Sequence, residues 1–111
     1  MQPRNAIAAL DRSIARNGQT VTLRRGTATA PTAQATVKAH VRGYDPEELV
    51  GGITQKDSKV ILSPTGLKNW PGGMLKEGDW AQIDGHWRSI MAAVPVKMAD
   101  ILVRIELQVK G

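Results

Sequence analysis

The clearest pattern in the sequence is an alternation of apolar and polar residues near the C-terminal end. In the segment 101–109, apolar residues from Val103 onward occupy every second position, and charged or amide side chains stand between them. Successive side chains of a β-strand point to opposite faces. The pattern therefore predicts an antiparallel strand with one buried face and one solvated face.

Shorter alternations predict the other strands. We expect strands at 19–25, 35–42, 53–55 and 59–63, with a further strand beginning at Asp79. Small and polar residues, together with Pro31, predict a loop over 26–34. Pro46 and the Gly51-Gly52 pair interrupt the strand pattern after residue 43.

Asp84-Gly85 has the composition of a tight hairpin turn, in which both central residues take positive φ. A two-residue turn here pairs Ile83 with His86. Side-chain alternation then places Trp80 and Trp87 on the same face, as diagonal neighbours.

Residues 3–17 have a helical pattern. Pro3 suits a first helical turn, and Asn17-Gly18 is a typical helix end. Apolar side chains recur on one stripe, and cationic side chains lie on the opposite side. The apolar stripe comprises Ile7, Leu10 and Ile14; the cations are Arg12 and Arg16.

Together these elements predict one mainly β domain spanning residues 1–111. We expect a small antiparallel β-barrel or sandwich of six to seven strands over 19–111, one N-terminal helix and two long loops, 44–58 and 65–74. We expect the core to contain Val21, Leu23, Val37, Val41, Leu62, Ile83, Ile90, Val103, Ile105 and Leu107.

Charge is distributed unevenly along the chain. Residues 1–43 hold seven basic residues and one acidic residue, whereas residues 44–111 hold eight basic and nine acidic residues. This asymmetry favours a polyanion or an acidic protein as a neighbour, although a solvated basic face explains it equally well.

The sequence offers little for catalysis, cofactors or metals. It has no cysteine and two histidines. His86 and Asp84 could be drawn with a serine as a triad, but Asp84 belongs to a turn and no nucleophile motif is present. Asp45, Glu47 and Glu48 are too few for a hard-cation site, so a solvated acidic loop is the simpler interpretation. We expect no enzyme activity, no cofactor and no metal.

Two groups of residues are candidates for contacts with partners. Long loops in a compact domain are usually functional, and we expect 44–58 to be flexible in a free monomer and ordered in an assembly. Trp and Arg are enriched where proteins bind each other. The loop candidates are Tyr44, Asp45, Glu47, Glu48, Leu49, Ile53, Gln55 and Lys56; the surface candidates are Trp70, Trp80, Arg12, Arg16, Arg24 and Arg25.

The order of these pieces resembles a known family. An N-terminal helix is followed by a strand leading into the segment VRGYDPEE (41–48), then by Gly78-Asp79 opening a hairpin, and by a long final strand. This order is similar to that of the small head-completion proteins of tailed bacteriophages, such as the head–tail joining proteins of lambdoid phages. The segment 68–73 departs from the family pattern.

The resemblance implies a structural protein of the virion neck, assembled in the host cytoplasm. Such proteins form a homo-oligomeric ring, here expected to be a hexamer or dodecamer, between the portal or adaptor protein and the tail terminator or tail tube. They help to close the DNA exit channel and contact packaged DNA without reading its sequence. We find no apolar run of membrane-spanning length and expect no membrane partner.

Two alternatives remain open. A small basic barrel with three tryptophans could bind nucleic acid, although the basic and aromatic residues are not interleaved in the sequence. Another phage ring protein, such as a tail terminator, would share the same general properties.

Overall fold

The computed structural model describes residues 2–27, 29–49 and 56–111. Within them the chain forms one helix and six strands that close into an antiparallel barrel in the order β1-β2-β3-β6-β5-β4. The elements are α1 (Pro3–Asn17), β1 (Gln19–Gly26), β2 (Pro31–Gly43), β3 (Ser58–Leu62), β4 (Trp80–Ile83), β5 (His86–Met98) and β6 (Ile101–Val109). Short 3-10 turns occupy Pro46–Glu48 and Gly66–Asn69. The predicted fold class is confirmed.

Helix α1 has the predicted bounds and the predicted faces. Ile14 is buried, whereas Arg12 and Arg16 are exposed. The helix packs against β2 and β6, and the hydroxyl of Ser13 lies 3.0 Å from His40 Nε2 on β2. At Gly18 a Cβ would lie only 2.6 Å from the Ile14 carbonyl oxygen, so the close turn into β1 requires glycine.

The β4–β5 hairpin has the predicted turn and register. Asp84 and Gly85 take φ values of +52° and +83°, as a type I′ turn requires. Ile83 pairs with His86, and Trp80 pairs with Ser89. Trp80 and Trp87 therefore lie on the outer face of the barrel.

The core fills the barrel interior. Nine of the ten predicted core side chains are buried, and Val41 is half-buried against the others. Val103 lies beside Leu10 in a groove between α1 and the β5–β6 hairpin. The core also includes residues that the pattern did not predict: Ala33, Ala35, Ala39, Val60, Trp70, Leu75, Ala81 and Val109.

Two expectations from the sequence, a loop over 26–34 and a strand over 53–55, are not confirmed. The predicted loop 26–34 is too long, because Gly26 ends β1 and β2 begins at Pro31 and pairs with β1 from there. Proline is tolerated as the first residue of a strand, and the small side chains of Ala33 and Ala35 face the core. The expected strand 53–55 lies outside the described residues.

No helix in the described part of the chain is both long and apolar enough to cross a membrane.

Candidate interaction surface

The outer face of the barrel holds an arginine between two tryptophans. Arg24 on β1 pairs with Trp80 on β4, and Trp87 reaches the same face from β5. The guanidinium carbon of Arg24 lies 3.9 Å from the ring centroid of Trp87 and 5.9 Å from that of Trp80. We call these three residues the Arg24 slot.

The cation in the Arg24 slot has no acidic partner in the part of the chain that the structure describes. Arg24 is only 8% exposed, and its Nε atom is buried without a hydrogen-bond acceptor. Within residues 2–27, 29–49 and 56–111 it forms no ion pair or hydrogen bond. The electron-rich ring faces stabilise the charge, and the N–H groups remain available as donors to an acceptor from outside the chain.

The surroundings of the Arg24 slot are polar but uncharged. Strand register places Gln34 on β2 beside Arg24, and Thr22 beside Gln82 on β4. Thr22 and Thr36 are within hydrogen-bond distance of each other, at 3.2 Å. Arg24 therefore supplies the formal charge among these residues, and the next cation on this face is Lys38, which pairs with Thr20 farther along β1. One cation in the slot suits a single carboxylate.

Arg25 and Trp70 have a different role from the one expected. The Arg25 Nε atom donates to Asp79 Oδ1 at 2.8 Å, and its Nη1 atom donates to the Gly72 carbonyl at 2.6 Å. Asp79, whose side chain is 2% exposed, also accepts from the Lys76 backbone N–H. The hydrogen bond to Asp79 raises the pKa of Arg25.

Trp70 packs beneath this ion pair. Its ring centroid lies 5.5 Å from the guanidinium carbon of Arg25, and the residue is 5% exposed within the core. The expectation that Arg25 and Trp70 offer free contact surface is therefore corrected: they hold the segment 70–79 against the barrel.

A row of alternating charges follows the outer face of β2, β3 and β6. Arg42 binds both carboxylate oxygens of Glu48, at 2.9 and 3.0 Å. Lys59 lies 3.5 Å from Glu48 and 3.1 Å from Glu106, which in turn contacts Arg104 at 2.8 Å. We call these five residues the charged ladder.

Glu48 joins the acidic segment to the barrel. The hydrogen bonds from Arg42 and from the Asp45 backbone N–H lower the pKa of Glu48 from 4.5 to about 2. Asp45 and Glu48 form a reciprocal capping box around the 3-10 turn. The turn that carries Glu47 is therefore held in a defined position.

Tyr44 lines a groove beside the charged ladder. The groove has a volume of about 230 Å³ and is also lined by Val94, Lys59 and Gln108. Burial of the phenol, reinforced by Asp57 and Glu48, raises the pKa of Tyr44.

The remaining loop candidates are scattered. Glu47 is exposed, and it has no partner among the residues that the structure describes. Leu49 is half-buried and Lys56 is exposed. Ile53 and Gln55 lie outside the described residues, as do all of positions 50–55 in the segment 44–58 for which we expect flexibility.

The β5–β6 hairpin is a surface feature that the sequence pattern missed. Val94 and Ile101 are 54% and 51% exposed, and Met91 is also exposed. β4 pairs with β5 only from His86 to Ser89. Beyond Ile90, no described strand pairs with this edge of β5. Pro95, which cannot donate a backbone hydrogen bond, could have indicated an edge strand.

Groups suited to catalysis or metal binding do not converge. In the described part of the chain no three His, Cys, Asp or Glu residues cluster as metal ligands would. Asp84 accepts a hydrogen bond from Gln19 at 3.3 Å rather than orienting His86. What the surface offers is aromatic, cationic and apolar contact area.

No protein-family model matches the chain, and no curated protein is similar enough in sequence to match it.

Proposed function

We propose that the chain is a structural protein of the tailed-phage virion. It assembles as a ring in the neck, joins the DNA-filled head to the tail and helps to close the DNA exit channel. Its partners are other copies of itself, the portal or adaptor on the head side and the tail terminator or tail tube on the other. The order of sequence elements suggested this role, and the distribution of surface contacts supports it.

The observation that carries the proposal is the β5–β6 hairpin. It holds three of the four large apolar side chains that are exposed among the described residues: Met91, Val94 and Ile101. It also presents a strand edge beyond Ile90 that no described strand covers. Apolar groups and an open edge on one element are typical of a surface that is covered on assembly.

The cationic side of α1 adds a second contact surface of different chemistry. Arg12 and Arg16 are exposed on the side of the helix away from Ile14. Exposed cations favour the approach of DNA phosphates or acidic protein surfaces and chiefly affect orientation and association rate. A ring around a DNA channel needs such a surface and no active site.

A gene deletion tests the proposal. In the phage that encodes the chain, its loss should yield heads that lack tails or leak DNA, together with free tails, and expression of the wild-type chain in trans should restore tailed particles. Normal numbers of tailed, infectious particles without the chain would refute the proposal. A deletion that stops tail assembly and leaves the heads complete would favour the tail-terminator alternative.

A nucleic-acid-binding barrel remains the second candidate. One observation favours it: the fold places Arg24 between Trp80 and Trp87, although cations and aromatics are separate in the sequence. Such interleaving suits base stacking. Salt dependence discriminates between the two candidates, because a dedicated binder loses affinity steeply with salt. We expect weak binding of single-stranded DNA by the monomer.

A further inference from the structure

The Arg24 slot contains a charge that no residue described by the structure neutralises. Arg24 is more than nine-tenths buried, its Nε atom has no acceptor, and it has no carboxylate partner among the described residues. A buried charge is ordinarily paired. The aromatic faces offset part of this cost, and a carboxylate that reached the remaining N–H groups would form charge-assisted hydrogen bonds in a site partly shielded from water.

Glu47 is the carboxylate best placed to be the partner. It is exposed and unpaired, and it lies on a turn fixed by the capping box and by the charged ladder. A fixed turn loses little conformational freedom on binding. Among the described residues, Arg24 is thus a buried cation without an anion, and Glu47 is a positioned anion without a cation.

The two groups cannot meet within one molecule. Arg24 lies near the C-terminal end of β1, Glu47 follows the C-terminal end of β2, and these strands are antiparallel. From Gln34, opposite Arg24, to Gly43 the strand extends by about 30 Å at 3.3 Å per residue. The two groups also differ in their position around the barrel. Arg24 lies on the wall formed by β1, β4 and β5, whereas Glu47 follows β2, which pairs with β3 on its other side.

We propose that Glu47 of one copy binds in the Arg24 slot of the next copy. The contact joins two different surfaces of identical chains, so it is heterologous and can be repeated around a closed ring. This inference rests on the proposed ring, because it names the contact between neighbouring subunits. Trp80 and Trp87 flank the contact and exclude water from it, as the residues around interface hot spots do.

Other exposed carboxylates provide controls. Glu77 and Asp100 also lack a partner in the part of the chain that the structure describes. Glu77 lies just before β4 and Asp100 lies in the β5–β6 turn. Both therefore lie at the same end of the barrel as Arg24, not at the end that faces a neighbour's slot.

Complementation between two variants tests the contact. Arg24→Met keeps Glu47 but loses the cation, and Glu47→Gln keeps the slot but loses the anion. Each variant alone should associate at least tenfold more weakly than the wild type, whereas a mixture should form one contact, from Glu47 of the first variant to Arg24 of the second. The readout is the NMR shift of the Trp80 and Trp87 indole N–H groups and of the Glu47 backbone N–H as concentration rises.

The expected results are specific. In the wild-type chain all three signals shift together with concentration, and either substitution raises the apparent Kd at least tenfold. The Trp80 and Trp87 signals of labelled Glu47→Gln shift when unlabelled Arg24→Met is added, but not when more Glu47→Gln is added. Glu77→Gln, Asp100→Asn and Arg4→Met should behave as the wild type does; Arg4 is an exposed arginine in the first turn of α1.

Several results would overturn the inference. They are no concentration-dependent shift in the wild type up to millimolar protein, association unchanged in Glu47→Gln, or indole shifts caused by single-stranded oligonucleotide alone. Should Arg24→Met not fold, Glu47→Gln decides the question by itself, because that side chain makes no contact within the described chain. Failure here leaves the deletion experiment unaffected, so the contact and the neck function are tested separately.

Discussion

At the scale of single residues, the adjacent arginines Arg24 and Arg25 have different environments. Arg25 binds a buried carboxylate and two backbone carbonyl groups, whereas Arg24 is flanked by aromatic rings and binds no anion among the described residues. Strand alternation explains the difference. Arg25 faces the end of the barrel interior, where Asp79 lies, and Arg24 faces outward between Trp80 and Trp87.

The Arg25–Asp79 pair should be important for stability. Asp79→Asn removes the charge that Arg25 and the Lys76 backbone N–H both bind, and breaking one side of a buried pair leaves the other side poorly solvated. We expect Asp79→Asn to unfold at a clearly lower urea concentration than the wild type does. Asp84→Asn, a change of the same kind in an exposed turn, should stay within about 0.5 kcal/mol of the wild type. Equal midpoints for the two variants would contradict this role of Asp79.

Glu48 should make the stability of the folded chain depend on pH in the acidic range. Its pKa is about 2 in the folded chain against an ordinary value of 4.5. The stabilisation from its bonds is therefore complete above about pH 5 and is lost as the pH falls from 4.5 through 2. We expect Glu48→Gln to lower the urea midpoint at pH 7 and to match the wild type near pH 2.

Glu47→Gln is the matched control, because Glu47 is on the same turn and makes no bond within the described residues. Its midpoint should follow that of the wild type at every pH. A difference between Glu48→Gln and the wild type that stayed constant from pH 7 to pH 2 would show that the pKa of Glu48 is not lowered by folding.

Some of the contacts between these residues could be predicted from the sequence, and others could not. The proximity of Trp80 and Trp87 follows from a two-residue turn, which is a local feature. The place of Arg24 between them depends on the pairing of β1 with β4, which are far apart in the sequence, and no periodicity specifies that pairing. The same holds for Asp79, whose partner Arg25 lies on β1.

At the scale of elements, alternation predicted the strands well where large apolar residues mark the buried face. It failed at the start of β2, where the buried residues are the small Ala33 and Ala35 and the composition resembles a loop. It also failed to show that Ile101 is exposed, because the end of a hairpin can extend beyond the core while the alternation continues unchanged.

Strand β6 allows the predicted register to be tested with a matched pair of isoleucines. Ile105 is fully buried, so Ile105→Ala should destabilise the chain by about 2–5 kcal/mol through lost transfer free energy and the cavity left behind. Ile101→Ala, on the same strand but largely exposed, should change stability by about 0.5 kcal/mol or less. Denaturant unfolding measures both. Similar losses would mean that the register of β6 is wrong.

At the scale of the whole molecule, the exposed cations of α1 are separate from the core and from the charged ladder. Arg12→Glu combined with Arg16→Glu should therefore leave the fold intact. Reversing these charges should slow attachment to DNA-filled heads or prevent it, leaving heads that leak DNA or lack tails. The yield of tailed, infectious particles from complementation in trans measures the effect.

Replacing both residues by lysine is the control, because it keeps the charge and should give normal particles. Normal yields from the glutamate pair would refute a role for this surface in assembly. A glutamate pair that failed to fold would instead show that these side chains contribute to packing.

The most direct test of the neck proposal counts the copies of the chain that bind to tailless heads isolated from the deletion phage. Purified chain is added, unbound protein is removed and bound copies per head are measured by quantitative mass spectrometry. We expect binding to saturate at the count of one ring, a hexamer or dodecamer, and the loaded heads to accept tails and become infectious. Absence of binding, or binding that grows with added protein and disappears after nuclease treatment, would contradict the account.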